Sequence, residues 1–267
     1  MSTAVIEREV ARAAKPAPRR IPMSRIVGVE LRKSFDTRSG FWLLASIGIV
    51  SVIATGAVIL FAPDSEITYE TFATAFGFPM AVILPMIAIL SITSEWSQRT
   101  GLTSFTLVPH RGRVITGKAI VALIVGVTSM LVAAAIGAVG NLLGSAILGV
   151  DAVWNVSVVE FSYIILANIL GMAVGFMLGV LIRNSPGAIV AYFVYSLVLP
   201  TITTVLAETQ DWFADKQQWV DFNYAQGALF DGAMSGQEWA QLGVTGLFWL
   251  VLPLTVGIWS VLRSEVK

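Results

Sequence analysis

The chain has 267 residues, 56% of them hydrophobic and 13% charged, with a mean hydropathy of +0.78, whereas soluble domains carry about a quarter charged residues. This composition excludes a soluble globular enzyme, and the 17 basic and 17 acidic residues cancel. The absence of cysteine removes disulfides, thiolate metal sites, iron–sulfur clusters and a cysteine nucleophile, and the single histidine, His110, excludes a histidine-rich metal centre.

Residues 1–22 are rich in Ala, Arg and Pro and lack the apolar core of a cleaved signal peptide, so they read as a disordered cytoplasmic tail. Residues 23–267 read as one membrane domain. From Ser24, an N-cap candidate after Pro22, the residues Met23, Val27, Leu31 and Phe35 recur every four positions, with Arg25, Arg32, Lys33 and Asp36 on other faces. That pattern predicts a short amphipathic helix along the inner membrane surface. The alternative is a plain basic stop before the first span.

Apolar runs follow near 41–62, 71–93, 119–143, 161–182, 187–206 and 242–262. Each approximates the roughly 20 residues that cross about 30 Å of hydrocarbon. They lack the alternation of barrel strands, and a helix satisfies its own backbone in lipid, so the expected fold is all-α with six transmembrane helices. The third run stays apolar to Val150, which predicts a tilted helix or an interfacial tail.

Counting the segments between spans alternately as inside and outside puts 16 of the 17 basic residues on one side, leaving only Lys216 on the other. The acidic residues divide the opposite way, 11 of 17 lying with Lys216. By the positive-inside rule, both termini of this multi-pass protein are expected in the cytoplasm.

No ionisable residue falls in the middle of a span: Glu160 sits at an outer edge, Glu95 and Arg183 at inner ends. Coupling to a proton or sodium gradient is disfavoured on that ground. The uncharged polar residues Asn168, Tyr192, Tyr195 and Thr201 are candidates to line a pathway or to hydrogen-bond between helices. No catalytic or metal-binding constellation is present. Gly112 to Lys118 imitates the start of a P-loop, but Ala119 stands where Ser or Thr is needed, so Lys118 reads as a lysine snorkelling to the inner interface. Gly171, Gly175 and Gly179, and Gly140 with Gly144, form small-residue stripes for close helix approach, to a neighbour in the same chain or in another.

The connection Ser94 to Arg113 is longer than a reversal needs, mixes charge with Trp96 and Phe105, and breaks at Pro109. It suits a short surface helix that docks into another protein, or an ordinary interfacial helix with its tryptophan at the headgroups. With Glu30-Leu31-Arg32-Lys33, six spans, Glu95, Thr100-Gly101, Pro109, Arg111, Arg113 and Gly117-Lys118, the whole chain resembles the membrane subunits of type-2 ABC exporters, in particular small bacterial antibiotic or multidrug exporter permeases. Many relatives carry Gly-Thr where this chain has Thr100-Gly101.

The resemblance implies that the loop is a coupling helix inserted into a separate ABC ATPase subunit, with Glu95, Trp96, Gln98 and Arg99 in that role. It implies a complex of two ATPase copies with a second permease copy, as homodimer or heterodimer. ATP would be bound by the partner, and no cofactor, metal, nucleic acid or catalytic site is expected in this chain. Substrate, a hydrophobic or amphipathic drug, antibiotic, lipid or peptide, would pass between the two permeases. The aromatic-rich outer segment 207–240 would cap the path, or anchor at the headgroups of the surrounding lipid. The rival readings are a non-transport membrane partner, such as an immunity or sensor subunit, and an ion-coupled carrier.

Overall fold

The computed structural model describes residues 21–97 and 111–263. The expected tail through residue 20, and Gln98 and Arg99 with the rest of the 98–110 connection, lie outside the described residues. The described residues are helical, without strands, and six helices are long and apolar enough to cross a membrane, as expected of a multi-pass membrane protein.

Helix α1 spans Met23–Asp36 and α2 Arg38–Phe61. The first begins one residue before the expected cap: Pro22, extended at φ −63° and ψ 147°, occupies the N-cap position with no side-chain bond, and Ser24 lies inside the first turn. A proline's fixed φ starts the helix without a hydroxyl. Between α1 and α2, Thr37 turns extended, and its Oγ1 accepts from Gly40 N at 3.1 Å. A side chain at Gly40 would strike the Ser34 carbonyl, so the tight break needs glycine there.

Helices α3 (Tyr69–Ser97), α4 (Arg111–Leu148) and α5 (Val158–Ile182) form the packed centre with α2. Met80, Leu84, Ala88 and Ile92 of α3 are completely buried, at successive turns of one face. At 1.5 Å per residue α4 is roughly 57 Å long, well beyond the hydrocarbon thickness, so its ends project from it. It stops at Leu148, where Gly149 adopts φ 70°.

The return segment is pinned at Val153, whose carbonyl accepts from Tyr69 N and from Asn141 Nδ2, each at 3.0 Å. Ser157 and Glu160 then close a reciprocal capping box on α5. At the far end of α5, Arg183 takes a left-handed φ of 56° and Asn184 caps α6 (Ser185–Thr209), so two residues reverse the chain.

The glycine stripes face helices of the same chain. A Cβ on Gly175 would lie 2.7 Å from the Pro85 carbonyl oxygen, and one on Gly179 3.4 Å from Ile89 Cα, so α5 rides against the backbone of α3. Gly144 similarly meets Ile59 of α2 and Ile67. Short helices α7 (Asp211–Ala214), α8 (Gln217–Val220) and α9 (Phe222–Gly227) lead to α10 (Gly236–Arg263).

Both α6 and α10 contain a π-turn, Val194–Val198 and Leu247–Val251, each followed by Leu-Pro. The two stretches share Leu-Val-Leu-Pro, at 197–200 and 250–253. A proline cannot donate to the helix ladder, and shifting to i→i+5 bonding just ahead of it absorbs the mismatch. Helices α2, α6 and α10 expose most of their apolar surface, as lipid-facing helices do.

Candidate functional site

Two polar clusters lie at opposite ends of the bundle. The first is at the end carrying Arg38, Arg113, Lys118 and Arg183. On α1 the face turned inward is Ile26 and Glu30, with Val27 and Leu31 beside it, while Phe35 of the expected stripe is exposed. A carboxylate therefore sits at the centre of the buried face. Lys118, in the second turn of α4, is also buried. It does not snorkel: its Nζ lies 2.5 Å from Glu30 Oε2 and 3.2 Å from Glu95 Oε1. Lys33 Nζ lies 2.7 Å from Glu30 Oε1 and 3.4 Å from Glu95 Oε1.

Two acids and two bases thus alternate around a ring that joins α1, the last turn of α3 and the start of α4. Removing a charge from water is costly unless it is paired, and the ring leaves no member unpaired. Burial pushes the Glu30 carboxyl up, but Lys118 and Lys33 outweigh it and hold the group below the usual carboxylate range. Burial pulls the Lys33 ammonium down, and Glu30 and Glu95 outweigh that, leaving it raised.

Of the residues assigned to docking, Glu95 points into this ring, and Trp96 is partly buried against the central core. Arg113 Nη2 donates to the Ile21 carbonyl at 2.6 Å, tying the entry of α1 to α4 as well.

The second cluster lies at the end carrying most of the acidic residues, beneath α7–α9. Pro85 inside α3 cannot donate to the Ala81 carbonyl four residues back. The Tyr192 hydroxyl of α6 donates to that carbonyl at 2.7 Å. In α6, Leu199 N donates five residues back to Val194, so the next carbonyl, that of Tyr195, falls to Pro200 and loses its donor. Asn223 Nδ2 of α9 supplies one at 3.1 Å.

Asp221, buried, caps α9 by accepting from Asn223 N at 2.9 Å and Tyr224 N at 3.2 Å, and its other oxygen accepts from the Thr203 hydroxyl. Gln226 Nε2 donates to the Ala167 carbonyl of α5 at 2.8 Å, and Trp249 Nε1 of α10 to the Val220 carbonyl at 2.7 Å. The α7–α9 segment is therefore bolted to α5, α6 and α10 through backbone carbonyls, with Phe213, Phe222 and Leu229 buried beneath it. Trp212, Tyr224 and Phe230 stay at least half exposed. The segment covers the helices through its inner face and presents aromatics outward through the other.

Among the pathway candidates, Tyr192 and Tyr195 are brought together, with ring centroids 6.4 Å apart, and both are buried. Asn168 is buried in α5, donating to its own Ile164 carbonyl at 2.9 Å. Its Oδ1 and the Tyr195 hydroxyl have no hydrogen-bond partner among the described residues. Thr201 does not join them; it is exposed and bonds back to Leu197. Thr203 takes the inward place instead.

The residues that sequence reasoning missed are Glu30, Lys33 and Lys118 as ring members, and Thr203, Asp221, Asn223 and Gln226 as the bolts of the second cluster. Glu30 had a visible signal, since it stands four residues after Ile26 on one helix face. No protein-family model and no curated protein matches the chain.

Proposed function

We propose that the chain is the membrane-spanning subunit of an ATP-driven exporter of the type-2 ABC class, working in a bacterial cytoplasmic membrane with both termini inside. The observation that carries this reading is the buried charge ring at the root of the long 98–110 connection, at the basic end of a six-helix bundle. An ion-coupled carrier needs titratable groups along its pathway. Here the clustered buried charge sits at the end of the bundle, where a loop meets a partner.

In this reading the basic end faces the cytoplasm. Helix α1 lies along the inner surface, and the 98–110 connection docks into an ATPase subunit that supplies the energy. Two such chains enclose the path, and the α7–α9 segment closes its outer mouth over Tyr192 and Tyr195. A mostly apolar wall with a few hydroxyls and amides suits hydrophobic or amphipathic cargo.

The test is capture of the ATPase by the tagged full chain. Arg99→Ala is expected to reduce the ATPase recovered about tenfold or more, as loss of an arginine anchor at an interface does, with unchanged amounts of the chain in the membrane. Trp96→Ala is expected to weaken capture and also to loosen the bundle, because its ring packs partly on the core. Undiminished capture by Arg99→Ala would remove the docking role from the loop.

A further inference from the structure

The charge ring is asymmetric. Glu30 gives one oxygen to each lysine, at 2.7 Å to Lys33 and 2.5 Å to Lys118. Glu95 meets both lysines through the same oxygen, at 3.4 Å and 3.2 Å. The lysines differ as well: the side chain of Lys118 is 6% exposed and that of Lys33 45%. Glu30 and Lys118 therefore form a closed, dry pair between α1 and α4. The longer contacts belong to the one ring member carried by α3, two residues before that helix ends at Ser97.

We propose that the ring is a joint with one releasable corner: Glu30 and Lys118 pin α1 to α4 as a fixed platform, and Glu95 lets go of it when α3 shifts. The inference rests on the reading of 98–110 as the docking loop, since a pull on that loop is what moves the end of α3. Charge bookkeeping selects this corner. If Glu95 leaves, Lys33 turns its half-exposed ammonium into water, and Glu30 with Lys118 remains a neutral buried pair. If Glu30 left instead, the buried Lys118 would keep only the longer contact to Glu95, and an incompletely compensated buried charge is strongly destabilising. The packing agrees, because Gly117 lies directly against Ile26, so the platform is held by shape beside the ion pair.

The absence of cysteine makes the joint testable. A Cβ on Gly117 would stand 3.8 Å from Ile26 Cβ, the mean spacing across a disulfide. Full-length chain carrying Ile26→Cys and Gly117→Cys is oxidised in membranes, and the rate of disulfide formation reports whether α1 sits on α4. The rate is expected to be unchanged by Glu95→Gln and lowered about tenfold or more by Glu30→Gln. The charge-exchanged pair Glu30→Lys with Lys118→Glu should recover most of the rate that Glu30→Lys alone loses, which separates loss of the pin from general misfolding. Equal losses for Glu95→Gln and Glu30→Gln would overturn the proposal, because Glu95 would then be a pin.

In the second arm the chain is assembled with its ATPase. The oxidised Ile26–Gly117 crosslink should leave ATP-driven export intact, while Glu95→Gln should lower the ratio of export to ATP hydrolysis about tenfold. Export blocked by the crosslink and restored by reductant would mean that the platform moves, and would also overturn it. Failure to recover any ATPase would contradict the exporter reading alone, since the crosslinking rates in membranes judge the ring without a partner.

Discussion

Replacing Tyr192 by Phe removes one hydroxyl and leaves the ring that packs among Ala188, Tyr195 and Leu229. The hydroxyl serves the Ala81 carbonyl, which lacks its helical donor because residue 85 is proline. The carbonyl would then be left without a donor, and an unmet polar group costs up to about 1–3 kcal/mol where it is fully buried. Interhelical hydrogen bonds in membrane proteins average about 0.6 kcal/mol and reach about 1.7, so roughly 1.5 kcal/mol, near the top of that range, is expected for a carbonyl with no helical donor to replace the hydroxyl. The cause can be isolated by Pro85→Ala, which restores a backbone N–H directed at Ala81 and keeps the Cβ that Gly175 packs against. In that background Tyr192→Phe should cost less than about 0.5 kcal/mol, giving a coupling energy near 1 kcal/mol between two residues on different helices. Unfolding of the purified chain in mixed micelles by a denaturing detergent, followed by tryptophan fluorescence, measures all four variants. An equal cost in both backgrounds would refute the reasoning, since the hydroxyl's worth would then be unrelated to the proline.

Gly175→Ala places a Cβ 2.7 Å from a backbone oxygen of α3, which cannot rotate away, and should lower stability by about 1–3 kcal/mol. Gly179→Ala, whose Cβ would meet its neighbours at 3.3–3.4 Å, should cost less than about 1 kcal/mol in the same detergent-unfolding assay, and the reverse order would contradict the close approach at Pro85. Glu30 has a carboxyl pKa held down in the folded chain, so its contribution is complete above the unfolded value of about 4.3 and is lost as pH falls through the folded value. The stability gap between the parent chain and Glu30→Gln should therefore be constant from pH 7 to about pH 5 and shrink as pH falls below about 4.3 toward the lowered folded value; a gap of the same size at about pH 5 and at about pH 3 would mean that the carboxylate charge is not what holds α1. A cysteine at the exposed Gln237 should react with an impermeant thiol reagent outside intact cells and one at Ser104 should not, whereas labelling of both would break the assigned orientation.

The six long helices were legible because length and hydropathy act segment by segment, and the observed spans differ from the expected ones mostly at their ends. Partners distant in sequence were not legible. Lys118 looked like a snorkelling lysine because nothing local reveals a carboxylate 88 positions away on another helix. Thr203 rather than Thr201 faces inward for a different reason. An unbroken α-helix returns to the face of Tyr195 seven residues later, at Ile202, and the additional residue of the π-turn postpones that return to Thr203. The repeated Leu-Val-Leu-Pro was the signal for that shift, since each copy carries the proline that the π-turn precedes. Asn223 and Gln226 looked like polar residues of a loop, and their roles exist only because helices below them have carbonyls to satisfy.

The most direct measurement is purification of the tagged chain from its native membrane in mild detergent, with identification of the protein bound to it and assay of ATP hydrolysis with and without hydrophobic compounds. The expected result is a stoichiometric partner with a complete nucleotide-binding site, hydrolysis that those compounds stimulate, and no hydrolysis by the chain alone. Recovery of the chain with no ATPase would contradict the exporter reading.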